Sequence, residues 1–480
     1  MDYYICGHSH EYDIYNVIGI FYTVNKSSRL ENKCDGVDFV SSEIIGDECI
    51  TTLYENKQIK DVNVLKIEDT VKNAVKKSCY VLLSKNLNFE NPWGTLIGIK
   101  PSKIPSDLYN QGFKDSEILE IMQNKNLVRL DKAELALNVY KNQIEILKNS
   151  APNSCGVYIG IPFCPTRCLY CSFPSFLIEK YAEKMSDYFD AMEKEMIFIS
   201  NYARENNITI ETLYVGGGTP TSLGDCDLEK LCNLINKYFN PSELKEFTVE
   251  AGRPDTITKS KLEILKKYGV GRLSINPQTL NESTLKKIER NHTLEDFYDK
   301  YNLAQQIGFE NINIDIILGL PDENINLVEN TFENLLELKV NSLTVHTLSI
   351  KRGSNLISKL ENYYFPNFSD MEDMINLSMK YADKMGLRPY YMYRQKNMIG
   401  NFENVGYAKK EFFGVYNIQM MEERQTVLGI GAGTTSKFYF REKELLKRIF
   451  NVKNIEEYIS RIDEMIDRKK KVLEEENLWL

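Results

Sequence analysis

The sequence predicts an α/β fold, because from Gly156 onward six short β-branched runs alternate with longer amphipathic stretches. Repeated βα units around a parallel sheet produce that beat. Two further observations shape the expectation. The 480 residues exceed what one hydrophobic core spans, so two or three domains are expected. Residues unusual for a core also fall at the carboxyl ends of the runs, where βα loops converge on ligands in such folds.

The first 150 residues read as an α+β region of their own. Ile18 to Tyr22 and Cys79 to Leu83 are short apolar runs of strand character. Phe113 to Gln123 and Asp131 to Lys148 carry apolar residues three and four apart, as helices do. The polar stretch from Asn149 to Ser154 reads as a linker. The strand candidates of the next region, residues 151–350, are Val157 to Ile161, Thr212 to Val215, Glu246 to Glu250, Arg272 to Asn276, Ile312 to Leu318 and Leu343 to Leu348. Helical patterns separate them at Glu179 to Asn206, Asp225 to Phe239, Lys259 to Tyr268, Glu295 to Ile307 and Ile325 to Leu338. Residues 351–480 add a helix from Ser369 to Met385, a Tyr-rich and Gly-rich stretch, and a charged helix from Ile455 to about Glu475. That region is expected to cover a substrate.

Charge and composition narrow the function. With 59 basic and 68 acidic residues the net charge is −9, and no long segment is dominated by bases, so no nucleic-acid partner is expected. No basic leader precedes an apolar run, and no apolar stretch approaches 18 residues, so neither secretion nor a membrane is expected. Ten cysteines in a chain of this kind read as free thiols or metal ligands of a cytoplasmic protein.

Three of them carry the chemistry. Cys164, Cys168 and Cys171 fall within eight residues, directly after the first strand of the beat. A structural zinc site or a closed iron–sulfur cluster takes four protein ligands, whereas three leave one metal open to a small molecule. An open iron can chelate amino and carboxylate groups and pass an electron into a sulfonium bond. The competing readings are zinc completed by Cys155 or a distant His, and three merely buried thiols. Gly216-Gly217-Gly218-Thr219-Pro220 ends the second strand, and glycines there let backbone groups approach a charged ligand. The following strands bring Glu250, Ser274, Asn276, Gln278 and Asp315 to the same rim. Asp315 lies inside an apolar run and needs a partner: a ligand group, Arg290 or another internal cation.

These motifs, in this order, resemble the radical-SAM coproporphyrinogen III dehydrogenase family (HemN-like), and within it the HemZ branch. The likeness covers residues 156 to about 440. Asn91-Pro92-Trp93-Gly94 and Gly98-Ile99-Lys100-Pro101 look like that branch's N-terminal region. Tyr393 to Asn397, Glu403 to Tyr407 and Gly429 to Gly433 look like its C-terminal signatures. The resemblance implies a partial (β/α)6 radical-SAM barrel with a 4Fe-4S cluster on the three cysteines and S-adenosylmethionine beside it. It assigns Tyr158, Tyr170, Gly217, Gly218, Thr219, Glu250, Gln278, Arg290, Asp315 and Ile317 to binding that cofactor, and Tyr158 and Arg352 to catalysis. It implies oxidative decarboxylation of coproporphyrinogen III, with a reductant such as flavodoxin or ferredoxin. The alternatives are a haem-trafficking chaperone and a haem-modifying or methyl-transferring enzyme.

Two positions depart from the family pattern. Gly160 stands where studied members carry His, and Lys351 and Arg352 stand where the haem-chaperone branch has an acidic residue. Cations there suit an anionic substrate, and Arg253, Lys351, Arg352, Arg394 and Lys396 are the candidates for holding carboxylates.

Overall fold

The chain divides into two units, Met1–Tyr140 and Lys141–Leu480, in a computed structural model that describes residues 1–24, 28–98, 100–395 and 398–475. Ile99, Lys396 and Asn397, which fall in the expected signatures, lie outside the described residues.

In the first unit β1 (Asp2–Cys6) is followed by α1 (Glu11–Phe21) and pairs parallel with β2 (Phe39–Ile45). Antiparallel hairpins then add β3 (Glu48–Glu55) and β4 (Gln58–Lys66). Asn56 and Lys57 both take positive φ, the conformation that matches a two-residue turn to the twist of its strands. Against this sheet pack α1 and α2 (Val71–Leu87), burying Ile14, Val17, Ile18, Val75, Cys79 and Leu83 with Val40, Cys49 and Leu53. Both apolar runs expected to be strands here are therefore helical: Ile18 to Phe21 ends α1, and Cys79 to Leu83 lies within α2. Their buried residues recur at spacings of three and four across the longer window, and a five-residue run cannot reveal that period. Three helices complete the segment: α3 (Lys103–Asn110), α4 (Asp115–Asn126) and α5 (Leu130–Lys148), the last of which crosses the boundary in the chain.

The second unit follows the expected beat closely. It begins with β5 (Ser154–Ile161), a short parallel pair formed by β6 (Phe163–Cys164) and β7 (Phe176–Leu177), and α6 (Met185–Glu205). Then come β8 (Thr209–Gly217), α7 (Asp225–Phe239), β9 (Glu246–Glu250), α8 (Lys259–Lys267), β10 (Arg272–Ser274), α9 (Glu282–Lys287) and α10 (Leu294–Ile307). The repeat closes with β11 (Asn311–Leu318), α11 (Ile325–Glu337) and β12 (Ser342–Thr347). The six strands of the repeat are parallel neighbours in chain order, β5-β8-β9-β10-β11-β12. Their carboxyl ends form one rim, and register aligns Gly216 with Gly160, Glu250 with Ser274, and Asp315 with Thr344.

The remaining residues extend the same sheet at both edges. After α12 (Phe368–Lys384), β13 (Arg388–Tyr393) and β14 (Asn404–Ala408) add antiparallel strands beyond β12. Beyond α13 (Val415–Glu422), β15 (Thr426–Ile430) runs parallel to β5 and is followed by β16 (Thr435–Phe440) and β17 (Leu445–Phe450). The single terminal helix expected from Ile455 is two, α14 (Ile455–Ser460) and α15 (Ile462–Glu475). A buried polar cluster ties them back to the barrel: Lys469 of α15, Tyr458 of α14, Asn451 and the Gly431 amide all donate to the Glu195 carboxylate of α6. No described helix is long and apolar enough to cross a membrane.

Candidate active site

The rim strands of the second unit surround a cavity of about 350 Å³. Cys164, Cys168 and Cys171 line it together with Gly217, Gly218 and Thr219. The loop that carries the cysteines leaves β5 and is pinned on several sides. Phe163 O accepts from Thr219 N at 2.8 Å, Leu169 N donates to Ile288 O at 3.0 Å, and Leu169 O accepts from Leu356 N at 2.9 Å. Backbone bonds rather than a disulfide therefore set the presentation of the thiols, and all three are free.

Two of the thiols have different side-chain neighbours. Cys164 Sγ lies 3.5 Å from the Thr219 hydroxyl. Cys168 Sγ receives Arg290 Nη1 at 3.7 Å and Arg253 Nη1 at 4.0 Å. Burial pushes the Cys164 thiol up to about 11, against the Thr219 bond, and it raises Cys171 too. A thiol raised in this way becomes a thiolate when a metal displaces its proton. Cys155, the fourth donor of the zinc alternative, is buried at the start of β5 and does not line the cavity. Among the described residues, no three His, Cys, Asp or Glu side chains are grouped to hold a single metal ion.

The glycine turn is enforced by its neighbours. A Cβ on Gly218 would stand 2.6 Å from Phe163 O, and one on Gly216 would stand 2.8 Å from the Glu250 carboxyl. Gly217 has φ +111°, and a Cβ there would lie 3.5 Å from the Tyr158 hydroxyl. Tyr158 stacks on Tyr214 and Tyr416, with ring centroids 6.0 and 6.3 Å apart, and is not in the cavity wall. Gly160 has a steric reason: a Cβ there would meet Thr434 Cγ2 at 2.5 Å.

Glu250 accepts from the Tyr214 hydroxyl at 2.7 Å and the Gly217 amide at 3.3 Å. Burial, helped by the Asp315 carboxylate and opposed by those bonds, pushes its carboxyl up to about 7. At Asp315 burial also acts upward, but bonds and charge from His346, with Asn313 and Thr344, outweigh it and hold the carboxyl below its ordinary value. His346 Nε2 is 3.6 Å and Asn313 Nδ2 2.7 Å from that carboxylate, and Tyr393 backs His346 Nδ1 at 3.2 Å. Glu250, raised to about 7, and ionised Asp315 thus face one cavity, a split that environments at functional sites produce.

Gln278 has φ +73°, a costly conformation for a residue with a side chain. Backbone bonds hold it: its amide donates to Asp315 O at 3.0 Å and its carbonyl accepts from Ile317 N at 2.9 Å. The side-chain Oε1 is buried in the cavity wall without a partner. Ile317 lines the same cavity and belongs to an apolar cluster with Leu169, Leu285, Leu348 and Tyr170.

Arg290, one of the alternative partners for Asp315, does not pair with it. It is spent on Cys168, on the Tyr170 hydroxyl at 3.4 Å, on Gly252 O at 2.8 Å and on Asn276 O. Of the expected carboxylate binders, Arg253 and Lys351 line the cavity, whereas Arg352 is exposed and outside its wall. Arg394 is buried and donates to Asn401 O at 2.8 Å. His346, Asn313 and Arg272 line the cavity and were not singled out in the sequence, where an isolated His or Asn at the inward position of a strand carries no spacing signal.

Comparison with known proteins decides the family. Residues 158–335 match the Radical SAM superfamily. The chain is 36% identical over 408 residues to the oxygen-independent coproporphyrinogen-III oxidase-like protein HemZ of Bacillus subtilis, spanning 84% of this chain and 81% of that protein. The chain belongs to the HemN/HemZ family of radical SAM proteins. The chain also resembles the heme chaperone HemW: that of Bacillus subtilis is 34% identical over 280 residues, 58% of this chain and 69% of its own. The solved structure of Escherichia coli coproporphyrinogen III oxidase, HemN, superposes with a TM-score of 0.53 at 18% identity, over 80% of this chain and 78% of that one, which shows the shared fold.

Radical SAM proteins use a 4Fe-4S cluster and S-adenosylmethionine, and the residues present fit both. Three thiols lining a cavity, with no fourth among the described residues of its wall, suit a cluster with one open iron. The orphaned Gln278 oxygen and the glycine turn, with no room for side chains, suit a polar ligand held close to the backbone.

Proposed function

We propose that this HemN/HemZ-family protein decarboxylates two propionate side chains of coproporphyrinogen III to vinyl groups, giving protoporphyrinogen IX without oxygen. When bound, the cluster and S-adenosylmethionine supply a carbon radical able to take a hydrogen atom from an unactivated C–H bond, which no side chain can do. The chain's own residues bind, orient and exclude water. Cys164, Cys168 and Cys171 hold the cluster. Gly217, Gly218, Thr219, Glu250, Gln278 and Asp315 offer backbone and side-chain polar groups to S-adenosylmethionine, while Ile317 and Tyr170 exclude water beside it. The Lys351 ammonium, in the wall of the same cavity, suits a propionate carboxylate.

Each propionate then loses a hydrogen atom from its β-carbon, carbon dioxide and one electron, which passes to a one-electron acceptor, to become a vinyl group. A one-electron carrier such as flavodoxin or ferredoxin is the proposed source of the electron that reaches the cluster.

The observation that carries the reading is that one cavity holds both the cysteine trio and a cation suited to carboxylates. The likeness to HemW supports a second reading, a haem carrier. Anoxic incubation of reduced, cluster-loaded protein with coproporphyrinogen III and S-adenosylmethionine separates them. Vinyl-bearing product with 5′-deoxyadenosine is the expected result. Retained haem without vinyl product supports the carrier, and S-adenosylhomocysteine supports methyl transfer.

A further inference from the structure

We propose that Arg253 is a positioning residue for the cluster: through Cys168 it fixes the cysteine loop and brings positive charge to one corner, setting the cluster's reduction potential. The inference rests on the cluster and not on the identity of the substrate.

Arg253 is one of the cations expected to hold substrate carboxylates at the rim, but its side chain, though in the cavity wall, is only 3% exposed and each of its guanidinium nitrogens already donates within the protein. Nε and Nη2 grip both oxygens of Asp255, at 3.0 and 2.7 Å, the two-pronged geometry that a guanidinium and a carboxylate form. Nη1 donates to Thr166, to its carbonyl at 3.1 Å and its hydroxyl at 2.6 Å. Thr166 lies between Cys164 and Cys168, so these bonds fix the stretch of loop that separates two thiols. The same Nη1 is 4.0 Å from Cys168 Sγ, and Arg290 Nη1 approaches that sulfur at 3.7 Å.

The three thiols are therefore unequal. Cys164 faces a neutral hydroxyl, whereas Cys168 faces two guanidiniums in a buried setting. A charge held against a thiolate stabilises the more negative, reduced cluster and raises its potential; hydrogen bonds to sulfur and local charge are the levers a protein has on iron–sulfur potentials. Asp255 moderates the effect by pairing with Arg253 from the other side.

Charge and scaffolding make opposite forecasts for two variants. If Arg253 acts by charge, Arg253→Met lowers the potential, and Asp255→Asn, which leaves the guanidinium uncompensated, raises it. If it only braces the loop, both variants weaken the same brace and move together, or lose iron with the potential unmoved.

The test is a redox titration of the reconstituted full-length protein, without substrate, followed by the electron paramagnetic resonance signal of the reduced cluster, with iron content measured alongside. The expected result is at least a tenfold displacement of the reduction equilibrium, or 59 mV for one electron, downward in Arg253→Met and upward in Asp255→Asn. Arg253→Lys, which keeps the charge but not the fork, should stay nearer the parent value. Should Arg253→Met fail to hold a cluster, Asp255→Asn and Arg253→Lys still decide. Unchanged potentials, or shifts of the same sign in the Met and Asn variants, would overturn the proposal.

Discussion

Glu250 is the side chain whose behaviour is most open to measurement, because its carboxyl lies near 7 while its neighbour Asp315 stays ionised. A carboxyl raised on folding keeps its proton in the free protein below that value. Stability from this group is therefore complete at acid pH and lost as pH climbs through about 7. A ligand ammonium or hydroxyl held by the ionised form must wait for that proton to leave. S-adenosylmethionine should bind more tightly as pH rises from 6 to 8, with affinity levelling above 7, and the dependence should vanish in Glu250→Gln. Equilibrium dialysis across that range checks it, and equal slopes in both proteins would remove Glu250 from the binding role. Residues of this kind were legible as positions but not as environments. The sequence marks Glu250 and Asp315 as polar groups at strand ends, yet it is packing that brings Asp315 against the Glu250 carboxyl and His346 against Asp315.

At the scale of elements, the turn after β8 and the terminal helices each make a checkable claim. Gly218 has backbone of the cysteine-bearing segment 2.6 Å from where a Cβ would stand, and backbone cannot swing aside as a side chain can. Gly218→Ala should therefore shift the loop after Phe163 and lower both iron content and S-adenosylmethionine binding, with helical circular dichroism retained. The terminal helices depend on a different chemistry. Glu195 and Lys469 are 0% and 1% exposed, and the pair is the centre of the bonds joining α6, α14 and α15. Lys469→Met leaves a buried carboxylate without its cation, which costs about 3–5 kcal/mol. Urea unfolding of the second unit's transition should register that loss. Glu195→Gln combined with Lys469→Met should recover much of it, because the orphaned charge is then gone. The βα beat was legible because each strand is a compact apolar run bounded by turn residues. Ile18 to Phe21 and Cys79 to Leu83 misread as strands because a short apolar run shows no period, and because the burial that makes them helical comes from a sheet elsewhere in the chain.

For the whole molecule, six parallel strands bring one rim's worth of polar groups to a cavity that also receives three thiols, and strands from beyond residue 385 extend the same sheet at both edges. The core of this design was readable from the order of its motifs. The edges were not, since β14 and β15, the short strands that join these additions to the sheet, find their partners β12 and β5 far away in sequence. Nor was the division of labour among the cations legible. Arg253 and Arg290 turn inward to one sulfur, and of the expected carboxylate binders Arg253 and Lys351 line the cavity among the described residues. The central claim is that hydrogen is taken from a propionate side chain within this cavity. Coproporphyrinogen III deuterated at the propionate β-carbons, turned over anoxically, tests it most directly. The expected result is one deuterium in each 5′-deoxyadenosine formed, in step with vinyl product. Undeuterated 5′-deoxyadenosine with no vinyl product would contradict it.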